Sequence, residues 1–566
     1  MPPRPAPHDS RRERLRRRAL PVVALALLAF IVGATVGALH VPGEQRTVEA
    51  FANAWRRADY AGMQAKLTEA QRATIDAATL EAAYRATKET ATIRSYEIGK
   101  PKKAGDHAYT LPVVVHTASF GDIKGTIRLP LAGDDDDARI LFSQALTFPG
   151  LTADGKLERH TTLGDRGALL ARDNTPVDSS IKGDLGPIPP DQLATFRAAG
   201  YPDDAQVGVS GLEKIFERRL AGTPGGELLV GGRVVATNAP RGGEDVRTTI
   251  SPPVQVAAVN AIGGRLGGVV AMNPRTGEVL AAAGIAFSGL QPPGSTFKMI
   301  TATGALQDGV ATLGSRYEYS SQAVLSGVPL RNANGEVCGG TLLQAFAISC
   351  NSVFAPLGAK LGAKRLISVA ERFGFNKPSP IPGAATSVIP PADEIGDDLA
   401  VGASAIGQGR VQATALQMTL VAAAIGNGGR LAQPHLDYVE GNGTRYGARA
   451  TTAKVARDVR RMMVEVVRNG TGVRAAIPGV VVAGKTGTAE LRTTQPCVPQ
   501  PDNPESCAGQ AVDPTDTTDT DAWFAAFAPA REPKVAVGVM LVASGAGGDS
   551  AAPAARLVLE EALRRT

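Results

Sequence analysis

Between Arg18 and Glu44 the chain carries no Asp, Glu, Lys or Arg, and from Ala19 to Leu39 it is almost wholly apolar. At ~1.5 Å rise per residue, a helix of that length spans a hydrocarbon core of roughly 30 Å. Residues 19–41 are therefore expected to be a membrane anchor. Residues 1–18 hold seven Arg against Asp9 and Glu13, which keeps that end cytoplasmic and places everything after residue 43 outside. The rival reading is a cleaved signal peptide, but the run exceeds the usual ~7–15 apolar residues and no clean Ala-x-Ala site follows. No Cys follows the run, so a lipoprotein anchor is excluded.

The same tail accounts for the charge. Of the net +6, five charges lie in residues 1–18, so the rest of the chain lacks the basic face that nucleic-acid binding requires. A chain of 566 residues exceeds what one core usually serves, and several domains are expected. All four cysteines fall in the external part, where disulfides persist. Cys497 and Cys507 flank a short Pro-rich loop and are the expected pair. If Thr341–Ser349 is helical, Cys338 and Cys350 lie at its opposite ends, ~18 Å apart and beyond disulfide reach, as buried small apolar residues. Nothing resembles Cys/His metal spacing, and no metal or cofactor is expected.

Residues 44–152 begin with helical apolar spacing (Val48, Phe51, Trp55, then Leu80, Ala83, Tyr84) and change to strand alternation over 93–149. This is an α+β domain. Its Asp134–Asp137 run is read as a solvated hairpin tip, since calcium-loop spacing is absent. Residues 153–260, rich in Gly, Pro and Asp, suit an extended connector with a single helix over Gly211–Leu220. From about 261 to 566 a new domain opens with a hairpin turning at Asn273–Gly277. It closes with apolar strands around Trp523–Ala528 and Val535–Val542 and a last helix, which fits one antiparallel sheet covered by helices.

Three short motifs stand in that last domain in a fixed order: Ser295-Thr-Phe-Lys298, Ser349-Cys-Asn351 and Lys485-Thr-Gly487. A bare Ser-x-x-Lys is expected about once by chance in a chain this long. Here Pro292-Pro-Gly294 breaks the chain immediately before a helix-compatible run, so Ser295 falls at a helix start, where free N–H groups and the positive helix end gather. Three-residue spacing puts Lys298 on the same face. To act as a base it must be neutral, which calls for desolvation or a nearby cation such as Lys485. Ser349-Cys-Asn351 is a corner between two helical runs, where such residues also serve as plain caps. Lys485-Thr-Gly487 lies on a strand, which Gly487 weakens unless something approaches the backbone closely, such as a substrate peptide adding along that edge.

The three motifs in this order resemble those of penicillin-binding transpeptidases and serine β-lactamases. Pro293–Lys298, Ser349–Phe354, Gly407-Gln-Gly409 with Thr414–Gln417, and Gly484–Glu490 are similar to the monofunctional, class B branch. Gly211-Leu-Glu213 and Thr248–Gln255 resemble that branch's pedestal, and residues 44–150 resemble the NTF2-like domain of MecA-type members. The resemblance implies an acylated Ser295, with Lys298 as its proton acceptor. Ser349 would relay the proton to the leaving D-alanine, and Asn351 would bind the peptide amide. Lys485 and Thr486, with Gly487 and Thr488 beside them, would hold the substrate carboxylate. The backbone N–H groups of Ser295 and Thr488 would form the oxyanion hole. It further implies a peptidoglycan D,D-transpeptidase acting on stem peptides and acylated by β-lactams. A separate membrane glycosyltransferase of the RodA/FtsW type is the implied partner. The alternatives are a D,D-carboxypeptidase or β-lactamase-like hydrolase, and a β-lactam sensor or scaffold. Three departures stand out: a short stretch from Ala283 to Pro292, Asn273 in place of the usual Asp, and a Pro-, Asp- and Thr-rich insertion over 491–522, read as a surface loop.

Overall fold

The computed structural model describes residues 42–441, 443, 446–490 and 520–565, together with Leu25. The apolar run of 19–41, Leu25 apart, and Cys497 and Cys507 lie outside the described residues. Among the described residues no helix is long and apolar enough to cross a membrane.

The chain forms two compact units that interleave in sequence. The first takes residues up to 165, 188–205 and 221–242; the second takes 166–187, 206–220 and 243 onward. In the first, helices Gly43–Arg56 and Ala77–Thr90 cover a sheet ordered Ile93–Ile98, Ala108–Thr117, Asp122–Ala132, Arg139–Ile140. Burial alternates along Ala108–Thr117 as the period-two pattern requires, and Phe51, Trp55, Leu80, Tyr84, Leu111, Val113 and Val115 close the core. The Asp run does more than face water: Asp135 accepts the N–H of Gly43 at 2.7 Å and Asp136 pairs with Arg46, so the turn seats the first turn of the opening helix.

In the second unit the expected helix over Gly211–Leu220 is two pieces, Gly211–Ile215 and Glu217–Leu220, broken at Phe216. The break goes with a buried charge cluster. Arg166 donates to Glu213 and to Glu217, each at 2.7 Å, and Glu217 also accepts the N–H of Gly208. Both glutamates are buried, so neither can lose its partner without leaving an uncompensated charge.

The main sheet of this unit has five strands, β1 (Gly267–Met272), β2 (Val279–Gly284), β3 (Ala483–Glu490), β4 (Thr520–Ala528) and β5 (Val535–Leu541), in the order β2-β1-β5-β4-β3. Every pairing is antiparallel. Its helices, in chain order, include α1 (Pro252–Ile262), α2 (Lys298–Gln307), α3 (Leu342–Ala347), α4 (Asn351–Leu361), α5 (Ala415–Gly426), α6 (Ala453–Asn469) and α7 (Ala551–Arg564). One face of the sheet packs Val269, Phe524, Ala526 and Val537 against α1 and α7; the other packs Val270, Trp523 and Phe527 against α5. That is the expected antiparallel sheet covered by helices. Gln255 on α1 closes the β2 edge, its side chain exchanging two hydrogen bonds of 2.9 Å with the backbone of Ala282. At the β1–β2 turn, the Asn273 side-chain oxygen accepts the N–H of Arg275 at 2.9 Å, the Asx-turn bond that an Asp there would make.

Candidate active site

The site gathers at β3, one edge of the sheet, around the start of α2. Gly294–Phe297 form a 3-10 turn that runs directly into α2, so Ser295 sits one tight turn before Lys298. Three contacts hold this turn. Gly294 donates its N–H to the carbonyl of Gly407 at 3.0 Å. Thr296 bonds its hydroxyl back to Pro293 at 2.6 Å. A Cβ on Gly487 would lie 2.7 Å from the Pro293 carbonyl, so the nucleophile turn rests against the β3 backbone. The close approach that Gly487 permits is thus made by the chain itself on the face a side chain would occupy.

Gly407 plays the matching part from the other side. Its φ is +76°, and a Cβ there would sit 2.1 Å from the Gly294 carbonyl. Gly407→Ala is therefore expected to cost at least about 1–3 kcal/mol in backbone strain and to slow acylation by displacing the Ser295 turn. Thermal melting together with the labelling rate checks both effects; an unaltered labelling rate would show that Gly407 does not hold the turn.

Lys298 is fully buried. Its Nζ donates to the Ser349 carbonyl at 2.6 Å, to Asn351 Oδ1 at 2.7 Å and to Ser349 Oγ at 3.3 Å. Lys485, equally buried, donates to Ser349 Oγ at 2.9 Å and to the Thr486 carbonyl at 2.9 Å. The Ser349 hydroxyl therefore lies between two amines. Burial, reinforced by the Lys485 charge, holds Lys298 well below the ordinary lysine range. Burial also brings Lys485 down to about 7. The two shortest contacts of Lys298 are to carbonyl oxygens, which only accept. A neutral amine with two N–H groups satisfies both and gives up the longest bond, which frees its lone pair to take a hydroxyl proton.

The structure thus joins Lys298, Ser349, Asn351, Lys485 and Thr486 in one hydrogen-bonded cluster. Among the described residues Ser295 Oγ takes no part in those bonds; its place is set by the turn, and the residue is partly exposed. Ser349 holds a φ of +68°, a left-handed conformation that non-glycine residues seldom adopt and that recurs at functional sites. Thr488 accepts the N–H of Gly547 on its hydroxyl at 3.3 Å, and the hydroxyls of Thr471 and Thr486 lie 2.6 Å apart.

The motifs alone pointed neither to Arg331, whose carbonyl accepts from Asn351 Nδ2 at 2.9 Å, nor to Thr471. Nor did they single out Phe346, whose ring lies 5.6 Å from the Lys485 amine, or give a role to Phe354, which ends the Ser349–Phe354 match and whose ring lies 5.7 Å from the Lys298 amine. These residues are distant in sequence from what they touch, so no local pattern marks them. Cys338 and Cys350 overturn an expectation outright: they form a disulfide, with Cα atoms 5.9 Å apart. The helix between them is six residues rather than nine, and strand Cys338–Thr341 doubles back against it after a bend at Gly340 with φ +84°. The sequence estimate took the chain to run straight along a longer helix.

Comparison with known proteins agrees with this geometry. Residues 267–560 match the penicillin binding protein transpeptidase domain, and residues 135–247 match the penicillin-binding protein dimerisation domain. The chain is 34% identical over 413 residues to the peptidoglycan D,D-transpeptidase PbpA of Mycolicibacterium smegmatis, covering 62% of this chain and 77% of that one. Among solved structures it is similar to the penicillin G acyl-enzyme of penicillin-binding protein A from M. tuberculosis (28% identity, TM-score 0.53, 70% of this chain and 99% of that one). It is also similar to the D,D-transpeptidase domain of a peptidoglycan glycosyltransferase from Eggerthella lenta (27% identity, TM-score 0.56, 71% and 99%). A dimerisation domain followed by a transpeptidase domain, with the Ser295, Ser349 and Lys485 motifs assembled at one sheet edge, makes this chain a member of the class B penicillin-binding protein family.

Proposed function

We propose that the chain is a peptidoglycan D,D-transpeptidase that works through an acyl-enzyme on Ser295 and is acylated at the same residue by β-lactams. The observation that carries this reading is the Ser349 hydroxyl shared by two buried amines, one of them that of Lys298, a single turn along the chain from Ser295. Ser295 Oγ adds to the carbonyl carbon of the penultimate D-alanine, and its proton passes to Lys298. Collapse of the tetrahedral intermediate breaks the peptide bond. Ser349 passes a proton to the departing D-alanine amine and is resupplied by the protonated Lys298. The amine of a neighbouring stem peptide then attacks the ester, forms the cross-link and returns the proton to Ser295.

Ser295 stands in the first turn at a helix start, where its N–H lacks an intrahelical acceptor; with the Thr488 N–H it forms the oxyanion hole. Asn351 spends its Oδ1 on Lys298, which leaves an Nδ2 hydrogen for the peptide. Lys485 and Thr486 receive the terminal carboxylate. Because burial alone lowers Lys485, an arriving carboxylate favours its charged form and raises it again.

Residues 19–41 anchor the chain in the cytoplasmic membrane with the catalytic domain outside, residues 44–152 form an NTF2-like domain, and a RodA/FtsW-type glycosyltransferase supplies the glycan. The absence of charge from Ala19 to His40 supports the anchor, and the helix-covered sheet of the first unit supports the NTF2-like reading.

The test is peptide exchange. The full chain, in detergent, is incubated with a stem pentapeptide ending in D-Ala-D-Ala and an excess of a labelled D-amino acid. Incorporation of the label at the peptide terminus is expected. Conversion to the tetrapeptide without incorporation would make the enzyme a carboxypeptidase.

A further inference from the structure

We propose that the Cys338–Cys350 disulfide is a positioning element of the acylation site, fixing the Ser349-Cys350-Asn351 corner so that Ser349 and Asn351 stay in hydrogen-bonding register with Lys298. The inference rests on Ser295 being the acylated residue. Nothing in the mechanism above uses the two sulfur atoms, yet Cys350 stands between the only two residues to which Lys298 Nζ donates among the described residues.

Geometry makes the link direct. Of the three Lys298 hydrogen bonds, two go to Ser349 and one to Asn351, so a displacement centred on Cys350 changes all three together. Misplacement by ~1 Å is enough to cost roughly 100-fold in rate. Local backbone preference does not hold the corner. Ser349 sits in the left-handed region at φ +68°, a conformation that persists only where the surroundings impose it. The helix before it, α3, has six residues, too few to stand by itself. Cys350 occupies the N-cap position of α4, where Ser, Asp or Asn would supply a side-chain cap, and no side-chain cap bond is made there.

What imposes the corner is a set of ties to the segment 331–341. Asn351 Nδ2 donates to the Arg331 carbonyl at 2.9 Å, and the Ser352 N–H donates to Asn332 Oδ1 at 2.8 Å. The disulfide to Cys338 is the covalent tie and falls at the centre of the motif. Both cysteines are buried, Cys338 at 5% and Cys350 at 1% exposure, so the bond is shielded and packed beside Phe346 and Phe354 in the same core.

The test compares acylation of the full-length wild type, in detergent, with that of a Cys338→Ala/Cys350→Ala double variant, using a fluorescent penicillin. Three quantities are read: the second-order acylation constant, the final labelled fraction, and the pH at which the constant falls on the acid side. The expected result is a constant reduced roughly 100-fold, an unchanged labelled fraction, and an acid limb moved to higher pH as a loosened corner lets water reach Lys298. A wild-type constant would overturn the proposal. So would a normal constant with a reduced labelled fraction, because the disulfide would then only support folding.

If the double variant does not fold, the wild type is reduced with dithiothreitol, desalted and assayed, then reoxidised. Two thiols appear as the sulfur–sulfur bond breaks and the dithiol closes to its own disulfide. Slow acylation that recovers on reoxidation supports the proposal, and unchanged acylation with both Cys338 and Cys350 found alkylated by peptide mapping overturns it. If the oxidised wild type carries no label at Ser295, it is the transpeptidase reading that fails.

Discussion

Ser295→Ala is expected to abolish covalent labelling by a fluorescent penicillin while leaving the protein folded. No neighbouring hydroxyl can take over. Thr296 is fully buried with its hydroxyl bonded to Pro293, and Ser349 Oγ is engaged by Lys298 and Lys485. Ser295 is partly exposed and its side chain takes no part in the cluster's hydrogen bonds, so its loss removes little of what holds the fold together. Gel fluorescence after incubation, with circular dichroism as the folding check, reads the result. A labelled variant would mean that another nucleophile is acylated.

Lys298→Met is expected to reduce the acylation constant by roughly 10²–10⁴-fold, the range a positioned general base supplies. The variant leaves two acceptors, the Ser349 carbonyl and Asn351 Oδ1, without their donor, at about 1–3 kcal/mol each. Removing an amine that burial keeps from charging offsets part of this. The pH dependence carries the same information with a definite sign. Burial, reinforced by the Lys485 charge, holds Lys298 well below the ordinary lysine range in the folded protein, so its base form is present over a pH range in which a free lysine is charged. Wild-type acylation should then fall as pH drops through that lowered value and level off well below pH ~10.4, where a free lysine titrates. A rate that kept climbing toward pH 10 would show an ordinary lysine. Stability follows the same linkage: the unfolded chain binds more protons on both lysines than the folded one. Folding is therefore favoured as pH rises from the lowered folded values toward the ordinary one, and disfavoured as pH falls through them, for Lys485 through about 7.

Much of this could be read before the fold was seen, and the reasons are local. Pro292-Pro-Gly294 ahead of a helical run placed Ser295 at a turn into α2, and three-residue spacing carried Lys298 along with it. The Asn273–Gly277 turn and the apolar strands expected at Trp523–Ala528 and Val535–Val542 are set by neighbours in sequence and appear, the first strand beginning earlier, at Thr520, within the stretch read as a surface loop. What stayed hidden depends on residues far apart in the chain. Gly407 looked like part of a motif, but its work is to let the Gly294 carbonyl pass at close range. The absence of a side chain at Gly487 also lets the Pro293 carbonyl approach that face of β3, a contact the motif does not reveal. The helix expected over Gly211–Leu220 breaks where Glu213 and Glu217 both turn to Arg166, a partner more than forty residues away. Cys338 and Cys350 were judged by helix rise alone, and a bend at Gly340 undid that estimate. Apolar periodicity also gave no sign that residues 153–260 would divide between two compact units.

The most direct test of the central claim is mass spectrometry of the penicillin-treated full chain, locating the adduct and timing its loss. The predicted result is one penicilloyl group on the peptide that contains Ser295, persisting for many minutes because no stem-peptide amine is present to release it. An adduct on any other residue, or one hydrolysed within seconds, would contradict the assignment of Ser295 as the nucleophile of a transpeptidase.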